Sequence, residues 1–409
     1  MKKAIYSLII LAATTMLFSG CDKDGNPVIP NPGDSGDHAE LWHYDAPIKG
    51  LADIIPAIDG SGNIYFAGQE EGAAGGTSHV ISVDKDGNER WSVSFEESSP
   101  THVIYADDKV FFGFGDPVKI YALNAADGSV AWSKDLSADY DFEWSPAIAY
   151  ANHKLYISSG QFIDGFLFAY NPTDGNELWI TRLYDKIAIG LAVKGDHIFV
   201  DDLGTIICFK DNGSSADSLW AWEEPNKSTR SVLNGNIAVA DNGNIYYRDA
   251  DIYIISSATG QTVNTILLDE TFDHSSSSVT IDGDGNCYIG NGNLTKFSPD
   301  GNQIWQSDIN SGIISPNYTE EPLIAENGKF YNGELFSLSC VKSDGTLDWV
   351  LGVEAGVGNL HPLAMDNDGN LISYATEKGV LYCYKGDGSK LATHGWPKRY
   401  SDMGNTSSN

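Results

Sequence analysis

Cysteine is scarce in this chain, and its placement argues against several kinds of site. Only five cysteines occur in 409 residues, and no two of them are adjacent or form a CxxC pair. Cys208, Cys287, Cys340 and Cys383 each lie inside a strand-like run, such as "TIICFK" and "LYCYK". Buried cysteine commonly serves as a small apolar side chain. We therefore expect these four residues to fill the core rather than to bind a metal or carry redox chemistry.

Basic residues are also scarce. The chain has 25 Lys and Arg against 56 Asp and Glu, which gives a formal net charge of −31 at pH 7. A surface of this charge repels nucleic acid and anionic lipid headgroups. The composition therefore predicts no nucleic-acid partner, and it is compatible with protein, neutral or cationic partners.

Recognisable catalytic motifs are absent. The nine His are scattered singly, and the chain contains no HExxH, no GxSxG and no phosphate-binding loop. Asp and Glu are so numerous that a carboxylate pair cannot be argued from spacing alone. The sequence therefore predicts no catalytic residue and no metal site.

Long apolar runs are confined to the N-terminus. "MKKAIYSLIILAATTMLFSGC" has a basic start, a short apolar core and small residues before Cys21. This pattern is typical of a secretory signal peptide over residues 1–20, and its apolar run is short for a membrane-spanning helix. "LFSGC" resembles a bacterial lipobox, which implies that cleavage leaves Cys21 as a lipidated first residue. An ordinary signal peptide with an incidental cysteine is the alternative.

Residues 21–40 read as a flexible tether. "DKDGNPVIPNPGDSGDHAE" after Cys21 is rich in Gly, Pro and Asp and has too few large apolar residues to bury a core. Its acidic start resembles the export signal that sends lipoproteins to the cell surface in one group of Gram-negative bacteria. We expect an outer-membrane lipoprotein that faces either the periplasm or the cell exterior. No later segment is apolar enough to cross a membrane.

One phrase recurs through the rest of the chain. It consists of an apolar strand end, an Asp-Gly turn and a Trp that leads a second strand, as in "YALNAADGSVAWSKDL" at residues 121–136. Asn264 and Ala392 stand in place of the Trp in two weaker copies. Further copies, strong and weak, begin at Val80, Phe168, Lys296, Ser339, Tyr253 and Cys383. Internal repetition at this scale indicates a repeat architecture.

A second recurring feature gives the number of repeat units. A turn rich in Gly, Asn and Asp precedes a strand with a large apolar residue near its start. These residues lie 41 to 47 positions apart, and they are Tyr65, Phe111, Tyr156, Phe199, Tyr246, Tyr288, Tyr331 and Ile372. Eight units of about 44 residues follow, each with signals for four short strands and none for a helix.

The repeat predicts an all-β fold, an eight-bladed β-propeller with four antiparallel strands per blade over residues 41–409. We name the strands A to D from the axis outward. Nine candidate D strands exist for eight blades, because "LWHYD" at residues 41–45 precedes the first unit. We expect this N-terminal strand to complete blade eight beside "VLYCYK" and so close the ring. Residues 389–409 are then expected to pack outside the ring.

The recurring Trp is interpreted as structural. A Trp at the start of strand D can dock on the next blade while its N–H finds a carbonyl, and Asp-Gly supplies the positive φ of the tight turn. In blade four, Trp220 is the alternative to Trp222. The predicted docking residues are Trp91, Trp132, Trp179, Trp222, Trp305 and Trp349.

The phrase A-x-x-x-D-G-x-x-x-W resembles the PQQ-like propeller repeat, a family that includes quinoprotein dehydrogenases and BamB-type outer-membrane assembly lipoproteins. The tail "GWPKRYSDMGNTSS" also resembles a segment found at the ends of such propellers. In family dehydrogenases the quinone lies beside Ca²⁺ under a disulfide of adjacent cysteines, which this chain lacks. "DNDGNLISYATE" at residues 366–377 has its Gly in the wrong place for a calcium loop. We therefore expect neither PQQ nor calcium.

The resemblance leaves two non-catalytic functions open. One is a protein-binding or assembly scaffold in the cell envelope. The other is a surface module that binds a glycan or another extracellular ligand, because exposed aromatic rings stack on sugars and acids accept hydroxyl hydrogen bonds. Propeller ligands usually meet the D–A and B–C connections. The candidate contacts there are Tyr140, Phe142, Trp144, Phe162, Arg230, His274, Tyr318 and His361. Packing between blades two and three is the alternative role for Phe142 and Trp144.

Overall fold

The structure is a computed structural model. It describes residues 38–49, 54–70, 76–138, 140, 145–160, 164–184, 190–202, 204–225, 237–249, 251–268, 279–290, 293–307, 322–333, 337–352, 360 and 363–408. These residues form 33 β-strands, and no helix among them has the length and apolarity to cross a membrane.

The strands group into eight antiparallel sheets, and the sheets form a ring. The first four sheets follow one another along the chain. Blade one contains β2 (Ala57–Ile58), β3 (Ile64–Gln69), β4 (Ser78–Val83) and β5 (Glu89–Phe95). Blade two contains β6 (Ser98–Pro100), β7 (Ile104–Ala106), β8 (Lys109–Asp116), β9 (Val118–Asn124) and β10 (Val130–Asp135). Blade three contains β11 (Ala147–Ala151), β12 (Lys154–Gly160), β13 (Asp164–Tyr170) and β14 (Glu177–Tyr184). Blade four contains β15 (Gly190–Lys194), β16 (His197–Asp201), β17 (Thr205–Asp211) and β18 (Ala216–Glu223).

The remaining sheets continue the same order, and the last one closes the ring. Blade five contains β19 (Ile237–Val239), β20 (Asn244–Arg248), β21 (Ile252–Ser256) and β22 (Thr262–Ile266). Blade six contains β23 (Thr280–Ile281), β24 (Cys287–Gly290), β25 (Leu294–Phe297) and β26 (Gln303–Gln306). Blade seven contains β27 (Leu323–Ile324), β28 (Phe330–Gly333), β29 (Ser337–Val341) and β30 (Leu347–Gly352). Blade eight contains β31 (Leu363–Met365), β32 (Leu371–Ala375), β33 (Val380–Tyr384) and the N-terminal β1 (Glu40–Asp45).

The predicted eight-bladed propeller and its ring closure are confirmed. β1 pairs with β33 in antiparallel register, with Trp42 opposite Cys383. In blade two the innermost strand is split, because β6 and β7 both pair with β8. The A strands of successive blades contact one another from blade one to blade six, and again from blade seven through blade eight to blade one.

One row of side chains runs through every blade at the same register. In blade one the row is Tyr65 on strand B, Ser82 on strand C and Trp91 on strand D. In six blades the B-strand aromatic and the D-strand Trp of this row have ring centroids 5.9–6.1 Å apart. Three cysteines take the C-strand position of this row. Cys208 and Cys340 each lie between two aromatic residues, whereas Cys383 lies between Ile372 and Trp42. All four described cysteines are buried, so they occupy the core as small side chains.

The Trp of one blade docks on the glycine turn of the next. Five turn glycines have φ between 67° and 88°, and a Cβ added to any of them would lie 2.5–2.8 Å from an indole carbon. In the same five junctions the indole N–H donates to a turn carbonyl at 2.9–3.1 Å. The Trp–Gly pairs are Trp42–Gly87, Trp91–Gly128, Trp132–Gly175, Trp220–Gly260 and Trp305–Gly345.

Blade four corrects one predicted docking residue. Trp220, not Trp222, lies opposite Cys208 and donates to the carbonyl of Ser257. Trp222 lies two residues further along the same strand, and its indole N–H donates to the Thr262 hydroxyl at 2.9 Å. The sequence could not separate the two residues, because positions i and i+2 of a strand share one face.

Two other junctions have a hydrogen bond between neighbouring blades, but with different partners. Trp179 donates to the carboxylate of Asp211 at 3.1 Å. The C–D hairpin of blade four extends further beyond the row, and its turn glycine, Gly213, has no atom within 4 Å of its Cβ position, so no glycine lies under the indole. Asn264, which replaces the Trp in blade five, donates its amide N–H to the Pro299 carbonyl at 3.0 Å. The hydrogen bond between blades therefore survives the loss of the indole.

The chain does not end outside the ring as expected. Residues 391–408, which we call the axial segment, lie against the ends of the inner A strands. Backbone hydrogen bonds of 2.7–2.9 Å join this segment to Ile58, Tyr105, Tyr150, Val193, Ile281 and Ile324, one residue from each of six blades. The inner edges of the A strands carry backbone groups that need partners, and the segment supplies them.

Buried polar side chains hold the axial segment. Asn405 is fully buried, and its amide donates to the carbonyls of Ile55 and Val103 at 3.1 Å each. The Lys398 ammonium, itself 2% exposed, donates to the Asn405 side-chain oxygen and to the Asp402 carbonyl. Asn405 has φ 58°, which is an uncommon backbone conformation for a residue other than glycine.

Gly128→Ala tests the Trp–Gly contact. Both the positive φ and the clash with Trp91 oppose the new side chain, so we expect a loss of about 2–4 kcal/mol in the free energy of unfolding. Gly388→Ala is the matched control, because Gly388 also has positive φ (77°) and has nothing within 4 Å of its Cβ position. We expect about 1–2 kcal/mol there. Equal losses in urea-denaturation curves would mean that the indole contact contributes nothing.

Asn405→Ala tests the axial segment. The substitution leaves two buried carbonyls and a buried ammonium short of a partner, so we expect a loss of about 3–5 kcal/mol in the free energy of unfolding. Asn152→Ala is the control, since Asn152 also has positive φ (53°) but is exposed. Thermal melts should show a clearly smaller effect for the control. A similar effect in both variants would assign the loss to backbone conformation alone.

Candidate functional site

The two faces of the ring differ in their connections. The A–B and C–D turns lie on one face, which we call the turn face. The B–C and D–A connections lie on the other, which we call the loop face. The predicted ligand contacts all belong to the loop face, and seven of them lie outside the described residues. These seven are Phe142, Trp144, Phe162, Arg230, His274, Tyr318 and His361.

Tyr140 is the one predicted contact that the structure describes. Its ring packs on Phe166 and Phe168 of blade three, with centroid distances of 4.5 and 5.6 Å. Its amide donates to the Leu136 carbonyl at 3.0 Å. The ring therefore fills the gap between blades two and three, where it extends the core. The described contacts of Tyr140 are packing contacts.

A buried acidic junction lies on the loop face between blades four and five. Asp201 ends strand β16, Glu224 follows β18, and Asp249 follows β20. Asp201 is 1% exposed and Glu224 is 5% exposed. The amide of Gly204 donates to Asp201 at 3.3 Å, and the Glu224 amide donates to the Gly204 carbonyl at 2.9 Å.

Glycine at position 204 allows the two blades to approach. Its φ is 87°, and an added Cβ would lie 3.2 Å from Glu224 Oε2 and 3.8 Å from the Tyr247 hydroxyl. Among the described residues, Glu224 Oε1 is buried without a hydrogen-bond partner. The Glu224 carboxyl also lies within hydrogen-bonding reach of Asp249 and Tyr253, so the buried oxygen belongs to a cluster of polar groups at this junction.

Burial and mutual repulsion shift the titration of these acids. Burial raises the pKa of Asp201 to about 7, and the nearby carboxylates of Asp202, Asp249 and Glu224 act in the same direction. Burial and the neighbouring Asp249 carboxylate also raise the pKa of Glu224. Carboxyl groups that titrate near neutral pH can exchange protons or accept a cationic group, and such groups concentrate at functional sites.

The sequence analysis missed this junction, although a signal was present. "VDDLGT" in blade four and "RDADIY" in blade five place acids at the same B–C turn of successive repeats. These acids were not singled out from the sequence, because acids occur in most turns of this chain. A comparison restricted to equivalent B–C turns could have found them.

The described potential metal ligands can be compared with what a calcium–quinone site needs. Within the described part of the chain, one group of potential metal ligands comes together, and it consists of Cys340, Asp348 and Asp387. The Lys329 ammonium already lies between its two acids, 2.7 Å from Asp348 and 2.5 Å from Asp387. Burial also raises the pKa of the Cys340 thiol, which disfavours the thiolate that metals bind. The cysteines of the described strands are far apart in sequence, so they offer no disulfide of adjacent residues.

A cavity of about 400 Å³ opens where the axial segment crosses the ring. Residues of the segment itself line it, including Leu391, Pro397, Asp402 and Met403. Burial raises the pKa of Asp402. The cavity is therefore a depression over the chain's own C-terminal residues.

Comparison with known families identifies the repeat. The sequence pattern of the family described as outer membrane protein assembly factor BamB matches residues 76–141 and 119–293. Together the two matches span more than half of the chain. The chain belongs to this family. The match confirms the PQQ-like propeller that the sequence predicted. No curated protein sequence matches the chain.

Solved structures with the same fold come from BamB-type proteins and from enzymes. BamB from Moraxella catarrhalis superposes with a TM-score of 0.63 at 14% identity, over 85% of this chain and 99% of that one. Quinohemoprotein alcohol dehydrogenase ADHIIG from Pseudomonas putida HK5 has a TM-score of 0.62 at 13% identity, over 88% and 78%. The quinohemoprotein alcohol dehydrogenase from Comamonas testosteroni has a TM-score of 0.65 at 11% identity, over 92% and 80%. At these identities the likeness concerns the fold alone.

Asp201→Asn tests the acidic junction through pH. The folded protein holds a proton on Asp201 up to about pH 7, whereas the unfolded chain loses it near pH 4, so ionisation destabilises the fold as pH rises between these values. Asn cannot ionise, so the variant does not lose this stability as pH rises. We expect it to stabilise the protein by up to about 4 kcal/mol at pH 8 relative to its effect at pH 4.

Thermal melts from pH 4 to pH 8 measure the difference. Asp300→Asn is the control, because Asp300 is exposed in a C–D turn. Its effect should not follow the same curve. A pH-independent effect of Asp201→Asn would show that Asp201 is ionised throughout.

Proposed function

We propose that the protein is a lipid-anchored, non-catalytic binding or assembly scaffold of the cell envelope, with Cys21 as the anchor. Membership in the BamB-type family supports the envelope assignment. The lipobox-like "LFSGC" supports an outer-membrane lipoprotein that faces the periplasm or the cell surface. A protein partner in the outer membrane fits the scaffold best, and the propeller itself is proposed to be a monomer.

The closed axis is the observation that carries this proposal. The axial segment bonds to the inner strands of six blades, and Asn405 and Lys398 are buried within it. The turn-face end of the axis is therefore held by the chain itself. A ring closed in this way is a rigid body whose remaining contact surfaces are the loop face and the outer rim. Such surfaces suit contacts with macromolecules.

The chemistry of the described residues supports a function without PQQ or calcium. The Cys340 group is neutralised by Lys329, and no described cysteine is adjacent to another. We therefore propose that the protein is not an enzyme, in contrast to the dehydrogenases that share its fold.

The acidic junction favours a second candidate, the binding of an extracellular glycan or other ligand on the loop face. Asp201 and Glu224 are buried there, and one Glu224 oxygen lacks a partner among the described residues. Ligand hydroxyl or ammonium groups could donate to such an oxygen. Phe142 and Trp144 remain the residues that the sequence predicts as a stacking platform for such a ligand.

Cys21→Ala tests the anchor. Without the thiol no lipid can be attached, so we expect the variant to lose incorporation of labelled fatty acid and to move from the membrane to the soluble fraction. Cys208→Ala is the control, since Cys208 is buried in the core and should leave membrane association unchanged. A Cys21→Ala variant that stays in the membrane would contradict the anchor.

Protease shaving of intact cells separates the two candidate functions. If the wild-type protein is protected while a surface control is cleaved, the scaffold faces the periplasm. Crosslinking should then capture outer-membrane assembly proteins. If the protein is cleaved while a periplasmic control is intact, it lies outside, and polysaccharide binding by wild type and Trp144→Ala becomes the deciding measurement. If no assembly protein is captured and no polysaccharide is bound, both functions are contradicted.

A further inference from the structure

The outermost strand of every blade is the edge of its sheet. An exposed edge offers unpaired backbone N–H and C=O groups to another strand, and natural proteins usually place charged side chains there to prevent such pairing. Six of the eight outer strands follow this rule, since each contains at least one Asp, Glu, Lys or Arg. These strands are β1, β5, β10, β14, β18 and β30.

The outer strands of blades five and six are the two exceptions. Within their described bounds, β22 (TVNTI) and β26 (QIWQ) contain no charged residue. The two strands belong to neighbouring blades of a chain whose net charge is −31, so this part of the rim differs from the rest of the surface. Thr, Val and Ile favour paired strands, and β22 is the longer of the two edges. It is therefore the edge best suited to take a further strand.

Aliphatic side chains are exposed along β22. Val263 is 59% exposed, and Leu267, directly after the strand, is 77% exposed and is the most exposed large apolar residue of the described chain. Thr265 lies between them in the sequence. Alternate residues of a strand share one face, so Val263 and Thr265 form an uncharged stripe that Leu267 extends. Exposed apolar surface of this kind commonly marks a contact with another molecule.

The backbone of β22 has one unpaired side. Its inner side pairs with β21, from Ile252 opposite Ile266 to Ile254 opposite Asn264. Among the described residues, no backbone group of another blade bonds to β22. In an antiparallel pair, every second residue of the outer strand directs its N–H and C=O away from the inner strand. An added strand would pair with these groups.

Contacts with both neighbouring blades hold β22 in place. The Trp222 indole of blade four donates to the Thr262 hydroxyl at 2.9 Å, and the Asn264 amide donates to the Pro299 carbonyl of blade six at 3.0 Å. Ile266 is 1% exposed and packs in the core. The edge already has the strand conformation before a partner arrives, which lowers the entropy cost of pairing.

The loop-face end of β22 leads to the acidic junction. The Leu268 amide donates to the Asp251 carboxylate at 3.0 Å. Burial, the neighbouring Asp249 and, more weakly, Asp251 raise the pKa of Glu224, so the charges of these acids act on one another. A basic group of a partner is attracted to this end of the strand, whereas an acidic group is repelled. The stripe and the acids together describe a segment that is uncharged along its length and basic at one end.

We propose that β22 is a docking edge for an extended segment of a partner protein, which adds to blade five as a further outer strand. The segment pairs through its backbone, places uncharged side chains beside Val263 and Leu267, and carries a Lys or Arg near Asp251. Strand addition to an exposed sheet edge is a recurrent mode of peptide recognition. The assignment of the partner to the cell envelope rests on the proposed scaffold function, whereas pairing at β22 does not.

Hydrogen exchange of the purified chain tests the docking edge. The probe is a synthetic peptide of alternating Thr and Val that ends in two Lys residues. We expect it to slow the exchange of the amides of residues 262–267 several-fold and to leave strand β10 unchanged. No protection at millimolar peptide would overturn the proposal. Protection that rises with protein concentration in the absence of peptide would assign the edge to a second copy of this chain, and it would overturn the proposal as well.

Two altered peptides separate strand pairing from general apolar contact. A peptide with Pro in place of every Thr lacks the N–H groups that a strand donates, so we expect it to give no protection. Equal protection by this peptide would contradict strand addition. A peptide that ends in two Glu should bind several-fold more weakly than the Lys peptide, because its charges meet the acids at the loop face. Equal binding would contradict the basic end of the segment.

Val263→Lys tests the location on the chain itself. A charge on the exposed edge is the device that the other blades use against pairing, and it also repels the basic peptide, so we expect protection of β22 to be lost. Val130→Lys is the matched control, because Val130 is 51% exposed on the outer strand of blade two. It should leave the protection of β22 unchanged. Peptide binding by Val263→Lys at the wild-type level would show that the peptide lies elsewhere.

These measurements separate the docking edge from the proposed function. The purified chain needs neither lipid nor membrane for any of them. A chain that binds the peptide at β22 but captures no envelope protein would keep the docking edge and contradict the scaffold. A chain whose Val263→Lys variant captures assembly proteins as well as the wild type would keep the scaffold and overturn the docking edge.

Discussion

The contact between an indole and a glycine turn holds this ring together. In five junctions the Trp on the outermost strand of one blade packs on a turn glycine of the next blade. In two others Trp179 or Asn264 donates a hydrogen bond to the next blade. Gly128 illustrates the requirement, since its positive φ and missing Cβ bring the turn against the ring of Trp91. The hydrogen bond from the indole N–H satisfies the one polar group that burial would otherwise leave unpaired. Because the contact links neighbours only, the ring is stable only if the last blade meets the first.

Strand β1 supplies that last link in two ways. Its backbone completes blade eight beside β33, and its Trp42 docks on Gly87 of blade one. One short strand therefore joins two blades, one through its backbone and the other through its indole. The axial segment adds a second closure from the other end of the chain, through backbone bonds to six A strands. Both chain ends stabilise the ring, although they do so at its rim and at its axis respectively.

The sequence was sufficient for the fold because its information is repeated. Blade number, strand order and ring closure follow from turn spacing and from one surplus strand, and each weak copy is supported by stronger ones. The path of the axial segment could not be derived, because its contacts are backbone hydrogen bonds to strand ends and depend little on side-chain type. Trp222 was misassigned for a related reason, since spacing alone cannot distinguish two Trp on one face of a strand. The candidate site was the least predictable part, because its acids come together only through the arrangement of two blades.

The position of Asp201 indicates that the acidic junction is not a requirement of the repeat. Five other blades have a small, uncharged residue at the same B-strand position, namely Ala67, Gly113, Ser158, Gly290 and Gly333, whereas blade five has the buried Arg248 and blade eight has Tyr374. A carboxyl at this buried position weakens the fold at neutral pH, because burial opposes its ionisation. The same position could hold a small side chain, as it does elsewhere in the ring, so packing does not account for the acid. Residues that break the pattern of a repeat and reduce stability tend to be retained for function. The loop face between blades four and five is therefore the part of the described surface where a ligand or partner contact is best supported.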